Sequence, residues 1–103
     1  MKPSTPTARA EADVDQAISY YLAEASFDVA VRFVAAYDDA ITHIRRFPGT
    51  GSPRYAEPGN NAELRFWTLD RFPYGVFYIE RDSFIDIVRV LHQASDIPVH
   101  LEP

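Results

Sequence analysis

The side chains of this chain that could do acid–base chemistry are three histidines, His43, His92 and His100, with Arg65 and Arg89 as candidate cations. Histidine gives or takes a proton near neutral pH, and a guanidinium stabilises negative charge in a transition state. On chemistry alone, such groups could cleave RNA, which needs a base for the 2′-hydroxyl and an acid for the leaving oxygen. The chain has no cysteine, which excludes disulfides and thiolate chemistry. No metal site and no cofactor are predicted.

None of the histidines stands in a spacing that by itself indicates catalysis. His43 lies within a helical pattern and is predicted on the surface. His92 ends a strand one turn before Asp96, which leaves two interpretations: an acid or base, or a residue that hydrogen-bonds the chain reversal while Asp96 caps the next turn. The second interpretation is favoured. His100 belongs to a tail that is expected to be mobile and therefore poorly suited to preorganised catalysis.

Composition predicts one small globular domain with little affinity for nucleic acid. A chain of 103 residues can bury a single core. The net charge is −5, whereas affinity for nucleic acid comes largely from Lys and Arg that neutralise phosphates. No signal peptide or apolar run of membrane-spanning length is present, so a cytoplasmic location is expected. Five arginines close in sequence either gather into a patch or, as we favour, are solvated charges paired with carboxylates: Arg45, Arg46, Arg54, Arg65 and Arg71.

The elements that must position these residues begin with a predicted helical hairpin over residues 8–47. Apolar residues of the first helix recur at helical spacing: Val14, Ala17, Ile18, Tyr21, Leu22 and Ala25. Ser26 is a suitable N-cap for a second helix, which Pro48-Gly49 ends. The predicted apolar face of that second helix is Ala30, Phe33, Val34, Tyr37, Ile41, Ile44 and Phe47. Because the break between the helices is so short, they should run antiparallel.

The last third of the chain predicts an antiparallel meander over residues 62–96, after a loop over 48–61 and before a tail over 97–103. Its three strands are rich in β-branched and aromatic residues: Ala62–Leu69, Tyr74–Glu80 and Phe84–His92. Residues 1–7 contain Pro3 and Pro6, which lack backbone donors, so this segment is an arm or a weak edge strand. The predicted fold is α+β, a helical hairpin packed on a three- to four-stranded antiparallel sheet.

The first strand of the meander predicts a surface for a partner. Leu64 and Phe66 alternate with Trp67 and Leu69, so both faces carry large apolar groups. One face meets the helices, and a partner peptide would cover the other. Arg65 faces a partner or pairs with a carboxylate. The predicted partner-binding residues are Arg65, Trp67, Leu69, Arg71 and Tyr20.

The order and spacing of several short motifs resemble the RelE/ParE superfamily of type II toxin–antitoxin toxins, and within it the ParE-like branch. The matching positions span nearly the whole chain: Ala12-Asp13-Val14, Ala17-Ile18, Tyr21, Ala30, Phe33, Phe47-Pro48, Gly51, Leu64-Arg65, Phe72-Pro73-Tyr74, Val76-Phe77-Tyr78, Ile85, Ile87, Val90-Leu91-His92 and Asp96. The resemblance implies structural roles for Phe47, Pro48, Phe72, Pro73, Tyr74, His92 and Asp96.

The resemblance implies a plasmid-stabilisation toxin that inhibits DNA gyrase by protein–protein contact and is neutralised by an antitoxin, without being an enzyme. The sequence leaves open whether the toxin forms a homodimer. One alternative is a RelE-like ribosome-dependent mRNA endonuclease, for which His92, His100 and Arg65 are the weak catalytic candidates. Another is a non-toxic homologue that only binds antitoxin. Three departures from the superfamily pattern are the prolines in the opening strand, the lack of arginine between His92 and Asp96, and a C-terminal tail that offers only His100 for catalysis.

Overall fold

The computed structural model describes residues 1–59 and 62–102. Residues 60, 61 and 103, which belong to the predicted loop and tail, lie outside the described residues. The elements follow in the order β1 (Ser4–Pro6), α1 (Ala8–Glu24), α2 (Phe27–Arg46), a 3₁₀ turn (Pro48–Thr50), β2 (Arg65–Thr68), β3 (Tyr74–Glu80), β4 (Ile85–His92) and α3 (Ile97–His100). The two long helices pack on a four-stranded sheet, so the α+β prediction is confirmed.

The hairpin of α1 and α2 is set by two N-caps. The Thr7 hydroxyl accepts a hydrogen bond from the backbone N–H of Ala10, at 3.0 Å. The hydroxyl of Ser26 accepts one from Val29, at 3.1 Å, which confirms the predicted cap. Since only Ala25 and Ser26 separate the helices, the chain must reverse at once.

The sheet has the strand order β1-β4-β3-β2 and is mixed. Strands β2, β3 and β4 form the predicted antiparallel meander, but β1 pairs with β4 in parallel, which corrects the prediction of a wholly antiparallel sheet. A parallel pair needs a long connection, and here the helices, the loop and two strands supply it. Pro6 is tolerated in β1 because this strand lies at the edge of the sheet.

Strand β4 is interior, as its two apolar faces predict. It carries a bulge, because Phe77 pairs with Arg89 while Tyr78 pairs with Ile87, which leaves Val88 as the extra residue. The bulge changes which residues face the helices: Ile85 and Ile87 do so before it, and Val90 does so after it.

Both faces of the sheet are covered by apolar residues of this chain. The core between helices and sheet includes Ala10, Ala17, Phe33, Ala40, Ile44, Leu69, Val76, Tyr78, Ile85, Ile87 and Val90. The second core, on the opposite face, consists of Leu64, Phe77, Ile79, Leu91 and Ile97, with Tyr55, Phe66, Val88 and Leu101 packed against it. The loop and α3 therefore supply part of the cover that the sequence left to a partner, and the tail that was predicted to be mobile is docked.

The turn after α2 is held by a buried tyrosine. The hydroxyl of Tyr78 donates to the carbonyl of Pro48 at 2.7 Å and accepts from the N–H of Gly51 at 3.0 Å. Arg65 donates to the carbonyl of Gly51 at 2.8 Å. Burial raises the pKa of Tyr78, so the phenol stays protonated and keeps its donor. A Cβ on Gly51 would collide with the tyrosine hydroxyl, which explains glycine at this position.

Replacing Gly51 with alanine should therefore lower the free energy of unfolding by about 1–3 kcal/mol, because the collision also disturbs two buried hydrogen bonds. Urea denaturation measures the loss. Gly49→Ala is the matched control, since its added Cβ meets no heavy atom of the described residues within 4 Å. In a Tyr78→Phe background, Gly51→Ala should cost less, because the colliding oxygen is gone. Equal costs at positions 49 and 51 would contradict this account.

Candidate functional site

His43 borders a different groove from the one that His92 and His100 share. His43 stacks on Trp67 with ring centroids 4.1 Å apart and an interplanar angle of 15°. Its Nε2 atom lies 3.1 Å from the hydroxyl of Thr50. The ring is half-buried between α2 and β2, so His43 is more enclosed than its predicted surface position implies.

His92 and His100 both border a small groove between α1, β4 and α3. The groove encloses about 210 Å³, and its lining also includes Tyr20 and Tyr74. The Nδ1 atom of His92 accepts a hydrogen bond from the backbone N–H of Ala94 at 2.9 Å. This contact supports the favoured interpretation, in which His92 organises the chain reversal.

Asp96 occupies the N-cap position of α3, but its carboxylate makes no capping hydrogen bond within the described residues. The predicted capping role of Asp96 is therefore wrong in this respect. The His100 backbone carbonyl accepts a hydrogen bond from Arg89 at 2.8 Å, which ties α3 to β4. His100 thus lies in a docked helix rather than in a mobile tail, although its side chain is exposed.

Arg89 is the most deeply placed of the candidate cations, and Asp13 neutralises it. Its Nε and Nη2 atoms donate to the two carboxylate oxygens of Asp13 at 2.7 and 2.8 Å. Asp13 also accepts the backbone N–H of Val90 at 3.0 Å. Both ionic side chains are 10% exposed. The hydrogen bonds that Arg89 donates to Asp13 raise the pKa of Arg89, so the guanidinium stays charged within a structural pair.

Of the five arginines that lie close in sequence, three make separate structural contacts. Arg65 bonds the carbonyl of Gly51, and the Nε atom of Arg45 bonds the carbonyl of Lys2 at 2.9 Å. The guanidinium of Arg54 lies 5.3 Å from the centre of the Tyr55 ring. For Arg45 and Arg65 the structure shows backbone carbonyl partners, in place of the carboxylates that the sequence suggested.

The predicted partner-binding residues differ in accessibility. Leu69 is 5% exposed and belongs to the core, so it offers little surface to a partner, contrary to the prediction. Trp67 is half-buried on the helix-facing side of β2, and Tyr20 is exposed on α1. The side chain of Arg71 is 89% exposed, and among the described residues its charge is engaged only by a weak contact with Asp70, at 3.9 Å.

Arg71 also has a left-handed backbone conformation, with φ of 66°. The turn between β2 and β3 requires this value, and it costs an ordinary residue about 1 kcal/mol. The motif residues that follow Arg71 make contacts within the fold. The ring of Phe72 lies 5.5 Å from Phe33, and that of Tyr74 lies 5.1 Å from His92. The carbonyl of Pro73 accepts the N–H of Gln93.

Sequence reasoning missed an exposed apolar stripe on α2, which we call the hairpin stripe: Phe27, Val31 and Val34. These residues are 71%, 49% and 37% exposed. Their spacing of four and three residues places them on one side of the helix. The available signal was that Phe27 and Val31 fall outside the predicted buried face of α2. Phe47, predicted on that face, is also 54% exposed at the end of the helix.

The described residues contain neither a helix suited to crossing a membrane nor a cluster suited to binding a metal ion. Among the described helices, none combines the length and the apolar character that a membrane crossing requires. Within residues 1–59 and 62–102, no cluster of three or more His, Asp or Glu side chains is arranged to bind a metal ion.

Comparison with known proteins defines the class. Residues 5–97 match the family described as ParE toxin of type II toxin-antitoxin system, parDE. The match covers most of the chain, so this protein belongs to the ParE toxin family. A toxin of such a pair has an antitoxin as its partner.

A solved structure described as the chromosomal ParDE TA system from P. aeruginosa has the same fold. A chain of that structure is 21% identical and superposes with a TM-score of 0.72, over 89% of this chain and 96% of the other. No curated protein sequence matches this chain significantly.

Proposed function

We propose that this protein is a toxin that inhibits DNA gyrase by protein–protein contact, and that a cognate antitoxin neutralises it. Family membership supplies the toxin class, and gyrase is the target that the sequence resemblance implies. The ion pair between Asp13 and Arg89 is the observation that favours inhibition by protein–protein contact over catalysis. A nuclease needs such a cation to face the substrate phosphate, whereas here a carboxylate and a backbone carbonyl take up the guanidinium.

Two other features support a non-catalytic mechanism. His92 and His100 share a groove, but the guanidinium that lines it, Arg89, is bonded to Asp13, and Arg65 lies on β2 and bonds Gly51. Cleavage of RNA needs an acid, a base and a cation at the same substrate. The net charge of −5 also opposes close approach to RNA.

The hairpin stripe supports the mode of antitoxin binding. Phe27, Val31 and Val34 form an apolar row along one helix, which suits the apolar face of an amphipathic helix from the partner. Apolar contacts suit an acidic toxin, because charge attraction to an acidic partner segment would be unfavourable. We therefore place the helical part of the antitoxin along α2.

Induction of the toxin alone should arrest growth, and co-expression with the antitoxin encoded by the adjacent gene should restore it. Purified toxin should inhibit DNA supercoiling by gyrase, while transcript ends mapped after induction should show no new cleavage sites. His100→Ala should keep full activity in both assays, because its side chain is exposed and its structural contact uses the backbone carbonyl.

Each opposing result has a distinct meaning. Transcript cleavage that His100→Ala abolishes in a folded protein would establish the RelE-like endonuclease instead. Normal growth on induction, together with tight antitoxin binding, would establish the non-toxic homologue. Growth arrest without an effect on gyrase or on transcripts would show that the target is another protein.

A further inference from the structure

The turn between β2 and β3 holds Arg71 in a backbone conformation that arginine seldom adopts. Its φ of 66° lies in the left-handed region, where the Cβ of an ordinary residue crowds the backbone. Among the described residues, Arg71 is the one non-glycine residue with a positive φ. Glycine adopts this conformation without strain, so an arginine at this position costs stability that a glycine would not.

The rest of the fold imposes this conformation on the turn. Leu69, which precedes the turn, is 5% exposed, and the ring of Phe72, which follows it, lies 5.3 Å from the ring of Tyr21. The carbonyl of Pro73 accepts the backbone N–H of Gln93 at 2.8 Å, which ties the turn to the end of β4. Because both ends of the turn are fixed, the two residues between Leu69 and Phe72 must reverse the chain in a defined geometry.

No strong contact within the described residues compensates for the strain at Arg71. Its side chain is 89% exposed, and Asp70, which lies 3.9 Å away, is 92% exposed. Water screens an ion pair that is so accessible, so the pair contributes little to stability. The guanidinium N–H groups of Arg71 are therefore available to bind another molecule. Strained backbone that the fold maintains is typical of functional positions, which indicates a role for Arg71 outside the chain.

An exposed tyrosine lies close to the same turn. The ring of Tyr21, which packs against Phe72, also contacts the ring of Tyr20 edge to face, with centroids 5.3 Å apart. Tyr20 is 57% exposed. Arginine and tyrosine are enriched among the residues that dominate the energy of protein–protein interfaces. We call Tyr20 and Arg71 together the turn surface, whose composition suits a protein partner.

We propose that Arg71 binds a carboxylate on the surface of DNA gyrase, and that the ring of Tyr20 packs against the same region of the target. This proposal rests on the proposed function for the identity of the target. A guanidinium can bind a carboxylate through two parallel N–H···O bonds, which fix the orientation of the partners. Since the turn is already rigid in the free toxin, little additional backbone becomes ordered on binding, which favours affinity.

Charge distinguishes the target from the other candidate partners of Arg71. In the proposed function, the antitoxin binds the hairpin stripe through apolar contacts, and those contacts need no exposed cation. DNA phosphates are bound by several cations together, and the net charge of −5 opposes such binding. A carboxylate on a protein surface needs a single guanidinium, and Arg71 would offset the repulsion that this acidic toxin otherwise exerts on it.

The test compares Arg71→Gly with Arg9→Ala in assays of DNA supercoiling by gyrase. Both variants remove one exposed positive charge, but Arg9 lies at the start of α1, away from the end that carries Tyr20. Arg71→Gly should inhibit gyrase about tenfold or more weakly than wild type, and Arg9→Ala should stay within about threefold. Arg71→Gly should also raise Tm by about 2–5 °C, because glycine relieves the strain. A purely structural role would not give a variant that is more stable and less active.

Three further measurements define the contact. Arg71→Lys keeps the charge but loses the planar fork, so its inhibition should fall between those of wild type and Arg71→Gly. Tyr20→Ala should weaken inhibition about fivefold, because it removes an exposed aromatic ring from the turn surface. The affinity of Arg71→Gly for the antitoxin encoded by the adjacent gene should stay within about threefold of wild type, since the hairpin stripe is unchanged.

Each contrary result has its own consequence. Inhibition by a folded Arg71→Gly variant that equals that of wild type would overturn the proposal and leave the proposed function intact. Binding of the toxin to gyrase that requires DNA would overturn it by making a phosphate the partner of Arg71. A tenfold loss of antitoxin affinity in Arg71→Gly would overturn it by making the antitoxin that partner. Unchanged inhibition by Tyr20→Ala would overturn the role of Tyr20, and absence of any inhibition by wild type would overturn both this proposal and the proposed function.

Discussion

Replacing Phe33 with alanine should lower the free energy of unfolding by about 3–5 kcal/mol, the largest effect expected from a single side chain in this core. Phe33 is 0% exposed and lies where α2 meets both α1 and the sheet. Its ring centroid is 5.5 Å from Tyr21, 5.5 Å from Phe72 and 5.2 Å from Tyr74. Truncation therefore leaves a cavity and removes three aromatic contacts.

Thermal or urea unfolding followed by circular dichroism measures this effect. A loss of 3 kcal/mol should lower Tm by about 12 °C or more in a domain of this size. Val34→Ala is the matched control on the next residue of α2, which is 37% exposed and should cost well under about 1 kcal/mol. If Phe33→Ala does not fold, Phe33→Leu should still fold with a smaller loss. A Phe33→Ala protein that melts with the wild type would show that α2 does not bury this face.

Replacing Asp13 with alanine should also cost about 3–5 kcal/mol, because it leaves the guanidinium of Arg89 buried without its counter-charge. The same change removes the acceptor for the backbone N–H of Val90. Strand β1 pairs with β4 only as far as Ile87. Beyond Ile87, the side chains of Thr7 and Asp13 bond the backbone of β4 instead. The Thr7 hydroxyl donates to the carbonyl of Val88 at 2.9 Å. Asp13 thus completes the edge of β4 with a side chain from α1.

A double variant separates the contribution of the ion pair to stability from that of the other contacts. Asp13→Leu combined with Arg89→Met should recover much of the stability that Asp13→Ala loses, because two apolar side chains do not leave a buried charge. Glu80→Ala is the control for an exposed pair. Its contact with Lys2, at 2.9 Å, involves side chains that are 44% and 35% exposed and should contribute about 0–1 kcal/mol. Equal losses for Asp13→Ala and Glu80→Ala would contradict a buried role for Asp13.

Sequence periodicity was sufficient to predict the helices and strands that form through local interactions. The helical spacing and Ser26 gave α1 and α2, and the strand over Tyr74–Glu80 has the predicted bounds. These features are encoded within a few residues, since caps, turns and apolar periods depend on near neighbours. The order of motifs was likewise sufficient to identify the toxin family, which the comparison confirms.

The faces of β2 show where local patterns became ambiguous. Leu64 and Phe66 alternate with Trp67 and Leu69, and both pairs are apolar enough to be core. Only the packing of α2 on the sheet decided that Leu69 enters the main core while Phe66 joins the second one. The position of His43 against Trp67 has the same origin, because it depends on which side of β2 the helix occupies.

By itself, then, the sequence determined the helical hairpin, the meander and the toxin family, because each rests on residues close together along the chain or on motif order. Tertiary structure alone decided the parallel pairing of β1 with β4, the docking of α3 and the roles of Arg65 and Arg89. The bond between Asp13 and Arg89 joins residues 76 positions apart. No local period encodes such a contact, because it forms only when the helices and the sheet bring distant segments together.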